Sequence, residues 1–183
     1  MKHIVAICGI ETVRDKAGVV KKLSETFRNN VRTIEHDSVG DKVSVVDARS
    51  FLKSENPVSD MMTHIASLGA IDTLVYSGHS DSENLYVFSH VRTELIDEFR
   101  VIGKNTDWKS PKFSETGGVF LCGCQAGGQK GVRFPECIAQ WIADSIKVTV
   151  SAFVSKSSQR SRRDGWYIQV PDIKRVEKFI PRK

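Results

Sequence analysis

The 183-residue chain carries a net charge of +5, and 40% of its residues are hydrophobic and 27% charged, which is typical of one soluble globular domain over residues 1–183. No apolar run approaches the length of a bilayer span, so the composition excludes a membrane-spanning protein. The first residues contain one lysine and then an apolar run of strand length, so we expect no signal peptide and a cytoplasmic location.

Apolar and β-branched runs alternate with helical patterns in the first half of the chain. A strand is predicted at residues 3–8, followed by a helix that ends near residue 27 and by a strand at residues 31–36. A second helix covers about residues 58–68 and precedes a strand at residues 73–78. The first helix has Val13, Ala17, Val20, Leu23 and Phe27 on one face, and the second has Val58, Met61, Met62, Ile65 and Leu68.

The second half continues the alternation. A third helix is predicted at about residues 91–99, and strands are predicted at residues 118–123, 148–153 and 166–170. A fourth helix begins at Pro135 and places Ile138, Trp141, Ile142 and Ile146 inward. Polar and turn-forming residues predict two long loops, at residues 103–117 and 155–165.

The alternation of strands and helices predicts the fold class. Several of the strand runs are continuously apolar, which is typical of strands that are covered on both faces. We therefore expect an α/β protein with an open, mostly parallel sheet and helices on both of its faces.

Two polar stretches follow predicted strands, and ligands usually bind at the carboxyl ends of the strands in such sheets. One stretch is Gly78-His79-Ser80, and the other is the glycine-rich segment around Cys124. If the two strands are parallel neighbours, His79 and Cys124 lie at the same edge. An imidazole stabilises a nearby thiolate and carries a proton to the leaving group, so the pair suits nucleophilic catalysis.

These residues resemble the caspase-like cysteine peptidases, which include caspases, legumains, separases and CHAT domains. The family has an apolar strand ending in His-Gly and a later apolar strand ending in a small residue and Cys. This chain has "LVYSGHS" and "VFLCGCQAGG", with His79 and Cys124 45 residues apart. Its "DGWYIQV" resembles a strand of caspases, and "VSAFVS", residues 150–155, lies where the family has its substrate-binding strand.

The resemblance implies a thiol protease of caspase-like fold that cleaves a protein or peptide substrate without a cofactor or metal. It implies that Cys124 is the nucleophile, that His79 is its partner and that the N–H groups of Ser80 and Cys124 form the oxyanion hole. It also implies substrate contacts from Cys122, Ser155 and Arg160. The chain departs from the family in having Ser80 where Gly is usual and Cys122 where caspases have a Gln.

A basic loop bears on the expected specificity. Caspases hold an acidic side chain before the scissile bond with arginines, and the loop at residues 155–165 contains Arg160, Arg162 and Arg163. Guanidinium groups bind both carboxylate oxygens at once, so an acidic residue at that position is one expectation. Relatives that select Arg, Lys, Asn or Leu provide the alternatives.

Other functions are compatible with parts of the pattern. A caspase-like module that binds peptides or proteins without cleaving them is the main alternative. A zinc site of Cys122, Cys124, Cys137 and His79 has suitable ligands, but the strand and helix pattern places them apart. A nucleophile elbow centred on Ser80 would require a glycine at position 82, where the chain has a serine. No Gly-rich nucleotide-binding motif follows a strand.

The basic residues are concentrated in the second half of the chain. Residues 1–90 have a net charge of −2 and residues 91–183 a net charge of +7. Such an excess is compatible with an anionic effector and is also typical of a solvated face, while we expect no nucleic acid partner. The four cysteines are expected to be thiols, because no secretory signal accompanies them.

Overall fold

The central sheet has six strands among the residues that the structure describes. A computed structural model describes residues 1–10, 12–14, 20–23, 26–88, 101–108, 110–130, 132–154, 161–162, 165–166 and 176–183. The strands are β1 (His3–Cys8), β2 (Lys42–Asp47), β3 (Ile71–Ser77), β4 (Phe113–Leu121), β5 (Thr149–Phe153) and β6 (Val176–Phe179). Their order across the sheet is β6-β5-β4-β3-β1-β2, and every neighbouring pair is parallel except β5 and β6.

Three α-helices connect these strands within the described ranges: α1 (Thr26–Asp37), α2 (Pro57–Ser67) and α3 (Ile138–Ile146). The predicted apolar face of α2 is confirmed, with Val58, Met61, Met62 and Ile65 buried. Pro57 occupies the first turn of α2, where its missing N–H costs no hydrogen bond. In α3, Ile138 and Ile142 are buried, but the helix begins at residue 138 rather than at Pro135.

Within the described residues, four short antiparallel ribbons lie outside the sheet. They pair Thr12–Arg14 with Val20–Leu23, His79–Ser80 with Leu85–Tyr86, Gly128–Gln129 with Val132–Arg133, and Ser161–Arg162 with Gly165–Trp166. The second and third ribbons follow β3 and β4. They therefore shape the two segments in which the sequence predicts the chemistry.

Two predictions for the first half of the chain are wrong. Residues 12–14 and 20–23 form a ribbon instead of a helix, and the β-branched residues Thr12, Val13 and Val20 favour strands. Residues 31–36 belong to α1 rather than to a strand, because Phe27, Val31 and Ile34 have helical spacing and pack together. The strand of this region is β2, which the sequence analysis missed.

Predictions in the second half also need correction. Residues 113–117, expected in a loop, begin β4, and the polar side chains among them are tolerated because none of these five residues is fully buried. Strand β6 was not predicted. The predicted helix at residues 91–99 lies outside the described residues. Of the predicted strand at residues 166–170, only Trp166 is described, and it pairs with Ser161 in a ribbon.

The buried apolar residues that the structure describes form two clusters. The larger cluster joins α2 and α3 to inward side chains of the sheet, among them Val5 and Ile7 of β1. The smaller cluster joins Phe27 and Val31 of α1 to Ala6 and Cys8 of the same strand. At about 25 cal/mol per Å² of buried apolar surface, this burial supplies most of the stabilisation of such a domain.

The carboxylate of Asp144 ties the carboxyl-terminal segment to α3. It accepts hydrogen bonds from Arg182 N at 2.7 Å, from Arg182 Nε at 2.7 Å and from Gln140 Nε2 at 3.0 Å. Partial burial opposes the charge, but the bonds from Arg182 and Gln140 outweigh it and lower the pKa of Asp144 below its ordinary value of 3.8. The ionised carboxylate therefore stabilises the folded protein.

We predict that Asp144→Asn lowers the free energy of unfolding by about 1 kcal/mol at pH 7, because charge-assisted hydrogen bonds are lost. A carboxyl with a lowered pKa stabilises the fold above its unfolded pKa of about 3.9, and this contribution is lost as the pH falls through the lower folded pKa. Urea unfolding should therefore separate the two proteins at pH 7, and the difference should shrink progressively as the pH falls below about 4.

Glu136→Gln is the matched control. The Glu136 carboxylate is 80% exposed and lies 3.7 Å from the Arg182 guanidinium, so its removal should change the unfolding free energy by less than about 0.5 kcal/mol. Equal effects of the two substitutions would contradict the structural role assigned to Asp144.

Candidate active site

Two loops meet at the carboxyl ends of β3 and β4. The strands are parallel neighbours with Tyr76 opposite Leu121, and Cys122 N donates to Tyr76 O at 2.8 Å just beyond the last pair. His79 lies two residues after β3 and Cys124 three residues after β4. Both loops therefore leave the sheet at the edge where open α/β sheets bind ligands.

A direct hydrogen bond joins the loops. Ser80 Oγ donates to Cys124 O at 2.7 Å. Gly123 packs closely on the same segment, since a Cβ at this position would overlap the Ser80 side chain and lie 3.2 Å from Gly78 O. The structure thus brings the His79 segment and the Cys124 segment together, and it requires a glycine at the point of closest approach.

His79 is held from two sides. Its ring meets the ring of Phe27 edge to face, with centroids 5.0 Å apart and an interplanar angle of 85°. Its carbonyl accepts a hydrogen bond from Tyr76 Oη at 2.6 Å. A helix residue and a sheet residue therefore both constrain the imidazole segment.

The turn after His79 is organised by Asp81. Its Oδ1 accepts hydrogen bonds from Glu83 N at 2.8 Å and Asn84 N at 2.9 Å, and its Oδ2 accepts one from Tyr86 Oη at 2.5 Å. Burial, together with this acceptor, raises the pKa of Tyr86, so the phenol remains a donor. Asp81 was not predicted as part of the site, although an Asp before Ser, Glu and Asn is a turn signal.

The four cysteines are thiols, and they differ in exposure. Cys124 is half-buried, whereas the other three are buried: Cys8, Cys122 and Cys137 are 3%, 1% and 1% exposed. Burial raises the pKa of Cys122, and it also raises the pKa of Cys137. Because the thiolate is the reactive form, Cys124 is the best placed of the four to act as a nucleophile.

Of the three residues predicted to contact substrate, the structure describes Cys122. Cys122 directly follows β4 and its side chain is buried, so a substrate could touch it only after its neighbours move. Ser155 and Arg160 lie outside the described residues, as does Arg163, and only the backbone of Arg162 is described. The contacts from these residues and the preference for an acidic substrate remain predictions.

Metal-ligand clusters and membrane-spanning helices are both absent from the described part of the chain. No three His, Cys, Asp or Glu side chains are grouped there as metal ligands would be. None of its helices has the length and apolar character needed to cross a membrane.

The chain was compared with known proteins at the level of families, sequences and folds. No family model, no curated protein and no solved structure matches it, so its function is inferred from the residues and contacts described above.

Proposed function

We propose that the protein is a cysteine endopeptidase of the caspase-like superfamily, with Cys124 as nucleophile and His79 as its proton carrier. The observation that carries the proposal is the hydrogen bond from Ser80 Oγ to Cys124 O at 2.7 Å. It joins the segment of the imidazole to the segment of the accessible thiol at one edge of the sheet.

A caspase-like fold is part of the proposal. The His follows one parallel strand and the Cys follows the next strand across the sheet, in the chain order of the family. Helices on both faces are supported by β1, where Val5 and Ile7 alternate with Ala6 and Cys8 and so face opposite sides. The helices α2 and α3 share a cluster with the first pair, and α1 shares one with the second.

The proposed reaction has two stages. The Cys124 thiolate attacks the scissile carbonyl and forms a tetrahedral intermediate, which collapses when the C–N bond breaks and His79 gives a proton to the leaving amine. A water molecule then attacks the thioester after losing a proton to His79, and the acid product leaves with the thiolate restored. The chemistry requires a protein or peptide substrate and no cofactor.

The backbone of Ser80 suits an oxyanion hole. Asp81 N donates to Asn84 O at 3.0 Å, and Leu85 exchanges two backbone hydrogen bonds of 2.9 Å with Ile102. Since hydrogen-bonded and non-hydrogen-bonded pairs alternate along a ribbon, Ser80 and Leu85 form a non-hydrogen-bonded pair. The N–H of Ser80 is therefore directed out of the ribbon, and the N–H of the nucleophile is the second donor in the proposal.

The cysteines and the charge distribution bear on the cellular location and on an effector. Four thiols suit a reducing compartment, which supports a cytoplasmic location. The net charge of +7 over residues 91–183 supports an anionic effector at the basic half of the chain.

Selective alkylation tests the dyad. We predict that iodoacetamide labels Cys124 at least about 10-fold faster than the other three thiols at pH 7, because only an accessible thiolate reacts quickly. His79→Ala should slow the labelling of Cys124 about 10-fold near neutral pH, since the cation that stabilises the thiolate is lost. Mass spectrometry of peptides from timed reactions measures each rate.

His64→Ala is the matched control, because His64 is exposed on α2 and should leave the rate unchanged. Preferential labelling of Cys122, or a Cys124 rate that ignores His79, would overturn the dyad. A Cys124 that reacts like an ordinary thiol would favour the module that binds peptides without cleaving them.

A further inference from the structure

We propose that the hydroxyls of Tyr76 and Ser80 are positioning groups that fix the main chain of His79 and of Cys124 relative to each other. The inference rests on the proposed dyad and names two residues that act on it. Neither hydroxyl is assigned any contact with substrate.

Tyr76 holds the main chain of His79 from inside the sheet. Its side chain is 1% exposed, and its hydroxyl donates to His79 O at 2.6 Å. Burial raises the pKa of Tyr76 well above its ordinary value of 10.0, so the group stays a donor at neutral pH. Gly78 leaves room for this bond, since a Cβ there would overlap the phenol.

Ser80 holds the loop of the nucleophile. Its side chain is 5% exposed, and its hydroxyl donates to Cys124 O at 2.7 Å. The next residue, Gln125, has a φ of 60°, a left-handed conformation that costs a non-glycine residue about 1 kcal/mol. Because the peptide between Cys124 and Gln125 is planar, a bond to its carbonyl fixes the orientation of the loop just before this strained residue.

The two bonds form one brace. Tyr76 belongs to β3 and fixes the carbonyl of His79, and the adjacent Ser80 fixes the carbonyl of Cys124. The imidazole and the thiol therefore belong to two main-chain segments. Hydrogen bonds donated by buried hydroxyls hold these segments at a fixed separation. Ser80 replaces the glycine that is usual in the family the chain resembles, and glycine has no hydroxyl with which to make this contact.

The test removes one oxygen atom at a time, with Tyr76→Phe and Ser80→Ala. Each variant should lower kcat for a cleaved peptide about 10- to 100-fold and leave KM within about twofold, because displacement of the reacting groups by about 1 Å has effects of this size. Each should also change the pH profile of Cys124 alkylation toward the profile of the His79→Ala variant.

Ser114→Ala is the matched control. The Ser114 hydroxyl also links β4 to β3, donating to Asp72 Oδ1 at 2.6 Å, but it does so at the opposite end of the strands. Its removal should leave kcat and the alkylation profile unchanged. Urea unfolding of all variants separates effects on stability from effects on the site.

The outcomes separate the inference from the proposed function. A wild-type Cys124 whose reactivity does not depend on His79 would remove the dyad itself. A His79-dependent wild type combined with unchanged kcat and pH profile in both hydroxyl variants would overturn the positioning role alone. If Ser80→Ala unfolds the protein, Tyr76→Phe decides, since it leaves the ring in place.

Discussion

Replacement of Cys124 by alanine should abolish peptide cleavage, with a loss of at least about 10³-fold in kcat/KM, because no other accessible thiol can form the thioester. Cys124 is half-buried, and the other three cysteines are buried. A peptide library incubated with the purified protein, read by mass spectrometry, gives both the rate and the sites of cleavage.

Cys122→Ser is the matched control for that experiment. It changes a thiol only two residues away, at a side chain that is 1% exposed and whose pKa is raised by burial, so most activity should remain. Cleavage retained by Cys124→Ala would remove the central claim. Complete inactivation by Cys122→Ser, with normal unfolding, would point to a different nucleophile or to a metal site, and metal analysis of that sample would distinguish the two.

The sequence predicted best those elements that have a continuous run or face of buried apolar residues. Strands β1, β3 and β5 are largely buried, and α2 has one continuous apolar face, so each has a clear period. Strand β2 has mostly exposed or half-buried side chains, and β6 has one buried residue among four. Strand β6 therefore has a weak apolar signal. Strand β2 contains three valines, which are typical of strands, and this signal could have predicted it.

Phe27 illustrates what local periodicity cannot resolve. Its spacing from Val20 and Leu23 predicted a shared helical face, but these two residues belong to a ribbon and Phe27 to α1. The partner that matters is His79, 52 positions along the chain, which its ring meets at 5.0 Å. Such a contact depends on the packing of α1 on the sheet, which no local pattern specifies.

The sequence predicted the residues of the candidate site, but it did not predict the hydrogen bonds that hold their main chain. His79 and Cys124 each follow an apolar run and lie beside glycine, which is visible in the sequence. The hydrogen bonds from Tyr76 and Ser80 depend on the position of two loops in space. For Ser80 the resemblance implied a role of the backbone N–H, whereas the hydrogen bond of its hydroxyl to Cys124 O is seen only in the folded structure.

Gly123→Ala should be the most damaging change of a single methyl group at this site. The added Cβ would overlap Ser80 and lie 3.2 Å from Gly78 O, so the two loops would have to move apart. Overpacking of this kind costs about 1–3 kcal/mol of stability, and the displacement of Cys124 from His79 should lower kcat about 100-fold or more. Urea unfolding and peptide cleavage measure the two effects.

Gly118→Ala provides the matched control, because it adds the same methyl group to β4 at a place with room for it. Its Cβ would lie 3.4 Å from Thr149 O, an ordinary contact, and alanine loses less backbone entropy on folding than glycine does, so stability should be unchanged or rise by about 0.5 kcal/mol.

Combining Gly123→Ala with Ser80→Gly removes the overlapping side chain and should recover much of the lost stability, since the effects of contacting residues are not additive. Activity should stay low in this double variant, because the hydroxyl that holds Cys124 O is also gone. Equal effects of the two alanine substitutions, or no recovery in the double variant, would show that the loops do not meet at Gly123.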